Sequence, residues 1–167
     1  MNFGKSWSRR LVSVVFFFSA LSFAADNKPA QVTVEPVAPV TAMNGKSARA
    51  EIHLKVGSGF HINSNQPTSD LLIPTTLEFA PDPHIKIGKV EYPAGQDFRI
   101  PIAPDEKLSV YAGEVKIVAP LTVTHATPPG TYNLKATLTY QACSDHACFP
   151  PKKIALDVPV KVQATVK

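Results

Sequence analysis

The sequence predicts an all-β protein built as an antiparallel sandwich, and three observations predict it. Apolar residues recur with period two in four long stretches, the pattern of strands with one face in a core and the other in water. Turn-forming clusters separate the strands: Gly57-Ser58-Gly59, Pro81-Asp82-Pro83, Pro93-Ala94-Gly95 and Pro128-Pro129-Gly130. Proline (16 residues) outnumbers glycine (8), and because proline removes a backbone donor and clashes inside a helix, a helical bundle is excluded. A chain of 167 residues with 44% hydrophobic content is the size of one domain and too apolar to be disordered throughout.

Residues 1–24 carry the cations Lys5, Arg9 and Arg10, then an apolar run from Leu11 to Phe23, then a small-residue end at Ala24. This is the layout of a cleaved secretory signal, and the run is shorter than the roughly 20 residues that span a bilayer. The mature chain is expected to begin at Ala25 and to have no stable membrane insertion. Residues 25–44 are rich in Pro, Val, Ala and Thr, and read as an extended lead-in with one edge strand at Gln31 to Glu35.

The domain proper is expected over residues 45–167. Its first strand places Ala48, Ala50, Ile52, Leu54 and Val56 on one face and Arg49, Glu51, His53 and Lys55 on the other. The same alternation returns at Val115 to Val123, Tyr132 to Tyr140 and Ile154 to Val162. Shorter strands are expected at Thr75 to Phe79, Ile85 to Tyr92 and Asp97 to Ile102. Strands of this number and spacing make a sandwich.

Charge narrows the function. Lys5, Arg9 and Arg10 are three of the 17 basic residues, so removing the signal leaves 14 against 13 acidic ones. Such a balance gives no cationic face for phosphate, and nucleic acid is not an expected partner. No phosphate-cradling glycine loop, Ser/His/Asp arrangement or paired-carboxylate signature occurs, and no cofactor is called for. His53, His84 and His125 read as surface histidines.

The two cysteines are the remaining chemistry. Cys143 and Cys148 enclose Ser144, Asp145, His146 and Ala147, a connection of hairpin length that sets the cysteines opposite each other. Facing strand residues lie within the span a disulfide needs, and an even cysteine count in an exported protein favours pairing. Three readings fit this loop. A structural disulfide would gain only about 2 kcal/mol from so small a ring. A metal site would draw on Cys143, Cys148 and His146, without the usual paired-cysteine spacing. A cycling dithiol would lack the helix N-terminus that activates thioredoxin-type thiols and would work by being attacked.

Tyr140-Gln141-Ala142-Cys143 and Cys148-Phe149-Pro150-Pro151, together with Gly59-Phe60-His61-Ile62-Asn63 and Tyr111-Ala112-Gly113-Glu114-Val115, closely resemble the N-terminal periplasmic domain of the thiol:disulfide interchange protein DsbD. The resemblance runs from about Gln31 to Val162. It implies an immunoglobulin-like antiparallel β-sandwich in the periplasm. Such a domain takes electrons from a thioredoxin-like domain or a membrane electron carrier and passes them to periplasmic disulfide proteins, as a protein-disulfide reductase-type relay. It implies that Cys148 forms mixed disulfides with partners and that Cys143 resolves them. Val110, Tyr111, Ala112 and Gly113 would belong to a cap loop, with Tyr111 shielding the pair. His61, Asp145, His146 and Phe149 are candidate tuning residues, since an imidazolium beside a thiol favours the thiolate and a carboxylate opposes it. With the chain ending at Lys167, the reductant is expected on another polypeptide. The rival reading from a different class is a secreted binding module whose disulfide is structural; a metal-delivery domain is the third.

Overall fold

Four strands show the alternation expected of them in the computed structural model, which describes residues 1, 31–100 and 103–164. The expected signal at 1–24, the start of the lead-in at 25–30, and the end of the expected strand at Pro101 and Ile102 lie outside the described residues. The chain enters through two short strands, β1 (Val32–Val34) and β2 (Val40–Met43), and then β3 (Ser47–Val56), where every second residue from Ala50 to Val56 is buried. Next come β4 (His61–Asn63), β5 (Thr76–Phe79), β6 (Ile85–Ile87), β7 (Gln96–Ile100) and β8 (Ala103–Tyr111). The chain ends in β9 (Glu114–Val123), β10 (Gly130–Tyr140), β11 (Ala142–Cys143) and β12 (Lys152–Gln163).

These strands form three four-stranded sheets, in the orders β1-β3-β9-β6, β2-β12-β10-β5 and β11-β4-β8-β7. The first two share one core. Ala50, Ile52 and Leu54 of β3 and Ile117, Ala119 and Leu121 of β9 join Leu134 and Leu138 of β10 and Val158 and Val160 of β12 in a single buried cluster. Burial of one face of each strand is what the period-two pattern encodes, and truncating a fully buried Ile or Leu here costs about 2–5 kcal/mol. The result is an all-β, immunoglobulin-like sandwich with a smaller third sheet at its side.

Several details differ from expectation. The lead-in supplies two strands rather than one: after β1 the chain passes Pro36 and Pro39, whose missing donors keep them out of a ladder, and crosses to the second sheet as β2. There β2 pairs with β12 in parallel, Val40 facing Val160, so the sandwich is not wholly antiparallel. The strand expected at Ile85 to Tyr92 stops at Ile87 and returns only as a bridge between Glu91 and Val118. Three strands were not expected at all: the short β4 and β11, and β8, which follows β7 as its antiparallel hairpin partner. One glycine is demanded by geometry: Gly45 has φ 68°, and a Cβ there would sit 2.2 Å from the His125 ring.

Candidate functional site

The end of β10 delivers the cysteines to the third sheet. After Tyr140 the chain steps through Gln141 out of the second sheet, and β11 pairs with β4, with Ala142 facing Ile62 and Cys143 facing His61. Cys148 returns as an antiparallel bridge to Cys143, and the two form a disulfide with S–S 1.99 Å and a Cα–Cα distance of 3.9 Å. The hairpin geometry expected from the four-residue spacing is therefore present.

The loop is held by its own backbone. Ser144 N donates to Ala147 O at 2.8 Å and Phe149 N to Ala142 O at 2.8 Å. The Ser144 hydroxyl accepts from the backbone N–H groups of His146 and Ala147, at 3.3 and 3.2 Å. Gln141 fixes the base: its Nε2 donates to Phe149 O at 3.2 Å and its Oε1 accepts from Asn63 Nδ2 at 3.3 Å. Asn63, fully buried, also donates to Ile73 O at 3.0 Å, so the loop is tied to β4 and the segment that follows it. Neither amide was singled out from the sequence. Their signal was their place: one immediately precedes the Ala142–Cys143 strand, and the other ends the His61–Asn63 strand beside it.

The two sulfurs sit in different surroundings. Cys143 is 2% exposed, whereas Cys148 is an exposed residue. A cleft of about 220 Å³ opens beside them, walled by His61, Phe98 and Leu108 and by the loop residues Ser144 to Ala147. His61 is 5% exposed, and its ring lies 4.2 Å from that of Phe98. Burial holds the His61 imidazole below its ordinary range of about 6.5, and the Asp145 carboxylate across the cleft works in the opposite direction.

Tyr111, expected to belong to a cap over the pair, lies away from the cleft. Side chains alternate across a sheet, and the register puts Tyr111 with Ile62 and Ala142 on one face and Cys143 with His61 on the other. Tyr111 is instead a core residue of β8. Its hydroxyl lies 2.6 Å from Asn65 Oδ1 and 3.1 Å from Pro93 O, and accepts from Asn65 N at 3.3 Å. Val110 is buried in the same strand, and Ala112 and Gly113 form the turn into β9; none of these four lines the cleft. The walls are Phe98 and Leu108, directly paired across the β7–β8 hairpin. Phe98 could have been found as the one large apolar side chain between Asp97 and Arg99.

Of the other candidates, Asp145 and His146 line the cleft from the loop, both exposed. Phe149 does not line it; its ring packs edge-on against Phe60 at 5.9 Å. Among the described residues, no group of three or more His, Cys, Asp or Glu side chains is placed to hold a metal ion. Nor is any helix among them long and apolar enough to cross a membrane.

A family model described as the N-terminal region of the thiol:disulfide interchange protein DsbD matches residues 28–159. Among solved structures, the N-terminal periplasmic domain of ScsB from Proteus mirabilis is 13% identical with a TM-score of 0.51, the match covering 76% of this chain and 44% of that one. The reduced DsbD N-terminal domain of Neisseria meningitidis is 18% identical with a TM-score of 0.46, covering 67% of this chain and 77% of that one. The complex between the DsbD N-terminal and PilB N-terminal domains of the same organism matches at 16% identity and a TM-score of 0.49, covering 80% and 88%. At such identities the likeness is one of fold. No curated protein sequence matches the chain.

Proposed function

The chain belongs to the family of DsbD N-terminal domains, which relay electrons by thiol–disulfide exchange, and from that premise we propose that Cys143 and Cys148 cycle between dithiol and disulfide to carry two electrons between protein partners. The observation that carries the proposal is the unequal exposure of the two sulfurs. An attacking thiolate needs a reachable sulfur, and Cys148 is exposed while Cys143 is 2% exposed. Cys148 is then the sulfur of the mixed disulfide, and Cys143 breaks that bond from within. The Asn63–Gln141–Phe149 hydrogen bonds keep the loop in place whether or not the sulfurs are joined.

The β7–β8 hairpin takes the shielding role in this reading, with Phe98 and Leu108 beside the sulfurs and Tyr111 beneath as a support. The reductant is a thioredoxin-like domain or a membrane electron carrier, and the recipients are periplasmic disulfide proteins. A DsbD N-terminal domain has been captured in complex with another protein domain, PilB, which fits a carrier that docks with partners. With residues 1–24 acting as an export signal, the site of action is the periplasm.

The test is a trapping experiment. Cys143→Ser, its lone thiol activated with a disulfide-forming reagent, should capture a reduced thioredoxin-like partner carrying one active cysteine, and Cys148→Ser should capture far less. Equal capture by both variants would overturn the assignment of roles. A reduction potential of the wild-type pair below about −300 mV would place the bond among structural disulfides and overturn the redox reading as a whole.

A further inference from the structure

Resting on the redox reading above, we propose that His61 is the proton acceptor for Cys143 when that thiol resolves a mixed disulfide. A thiol attacks only as its thiolate, and Cys143 must become one in a place that is 2% exposed, where few groups are within reach of its proton. The group facing it is an imidazole. Cys143 and His61 are direct cross-strand partners in the β11–β4 ladder, which sets their Cβ atoms roughly 4.5–5.5 Å apart on one face of the sheet. Both side chains open into the same cleft.

The surroundings leave His61 neutral and pointed at this task. From β7 and β8 it meets Phe98 and Leu108, both apolar. Of the charged residues of those strands, Asp97, Arg99 and Lys107 alternate with these two and fall on the opposite face, where Asp97 and Lys107 pair at 3.0 Å; Glu106 shares the face of Leu108 but does not line the cleft. The ionisable groups that face His61 are Asp145 and His146, on the exposed loop, and Cys143 on β11. Burial among apolar side chains keeps the imidazole in its proton-accepting form at neutral pH, and Asp145 stabilises the imidazolium once it forms. A carboxylate is a poorer acceptor, because it is a weaker base than an imidazole and, once protonated, leaves no cation beside the thiolate.

The step balances. The Cys148 thiolate attacks a substrate disulfide, forms a Cys148–substrate bond and releases one substrate thiolate. His61 takes the proton from the Cys143 sulfur, and the Cys143 thiolate attacks Cys148 Sγ. The Cys143–Cys148 bond forms, the bond to substrate breaks, and the second substrate thiolate leaves with the electron pair. Two electrons have passed from the cysteine pair to the substrate, and the imidazolium gives its proton to the departing thiolate. In the reducing direction the same imidazolium returns a proton to Cys143.

Reaction of the reduced protein with 5,5′-dithiobis(2-nitrobenzoate) separates the two events, since the first chromophore released reports attack by Cys148 and the second reports resolution by Cys143. In the wild type the second phase should rise with pH and level off below the ordinary thiol range of about 8.5. In His61→Phe and His61→Gln the second phase should slow at least about tenfold at neutral pH and keep climbing into the thiol range, with the first phase changed less than about twofold. Added imidazole should restore the second phase in His61→Ala. An unchanged second-phase profile in all three variants would overturn the proposal, whereas failure of the wild type to release a second chromophore would overturn the redox reading beneath it.

Discussion

Replacing Cys143 and Cys148 together by Ser asks whether the bond holds the fold or serves it, and the structure sets the size of the effect. A sequence separation of 5 closes a ring of about six residues, and constraining so small a ring in the unfolded chain is worth about 2 kcal/mol. Nothing else in the core depends on it. The loop keeps the Ser144–Ala147 and Phe149–Ala142 backbone hydrogen bonds, and the Gln141 side chain still spans Asn63 and Phe149. The two strands that flank the loop, β10 and β12, are already paired from Gly130–Val162 through Tyr140–Lys152. Urea unfolding followed by far-ultraviolet circular dichroism is the assay, because the single tryptophan, Trp7, falls in the expected signal segment rather than in the strands. At an m-value of about 2 kcal/mol/M the midpoint should drop by about 1 M with an unchanged slope, and dithiothreitol should bring the wild type to the same midpoint. Unfolding of the variant in buffer, or a loss above about 4 kcal/mol, would refute the reasoning and make the disulfide a structural one.

Three further outcomes are expected. Phe98→Ala removes an aromatic contact with His61 worth about 1 kcal/mol, so the oxidised pair should react with glutathione roughly fivefold faster, whereas Tyr111→Phe should cost about 1–2 kcal/mol of stability and leave that rate unchanged. Because burial lowers the His61 pKa from its ordinary 6.5, the unfolded chain takes up its proton at higher pH than the folded chain; stability is then full above about pH 6.5 and falls as the pH drops below it, and His61→Phe should flatten the difference in urea midpoint between about pH 5 and pH 7.

Period two was legible wherever one face of a strand is dry and the other wet. That is why β3, β9, β10 and β12 could be read directly from their residues. β8 escaped because its first half carries Pro104, Asp105, Glu106 and Lys107, a polar run in a hairpin that stands beside the main core, so no alternation marks it. β2 escaped because Ala42 is its one buried residue and its partner, β12, lies more than a hundred positions away. At the site, the cysteine spacing was enough to foresee a facing pair, and the resemblance placed His61 close by. The position of Tyr111 relative to the cleft was hidden by parity. Tyr111 pairs with a neighbour of His61 rather than with His61 itself, and a shift of one residue in a strand moves a side chain to the other face of the sheet. Sequence order does not disclose that register, since it is set by pairing between segments far apart in the chain.

The position of β12 between β2 and β10 carries a consequence for how the molecule forms. The second sheet cannot join β2 to the β10–β5 pair until residues 152–163 arrive, and they then close contacts with Val40–Met43 and Gly130–Tyr140 at once. A polypeptide emerging from its N-terminus must present everything up to Pro151 before half of its core can assemble, so folding waits on the final strand and then proceeds in one cooperative event. Cys143 and Cys148 emerge ahead of that strand. They meet solvent and its oxidants as a flexible dithiol, before any cleft exists to govern which partner may reach them.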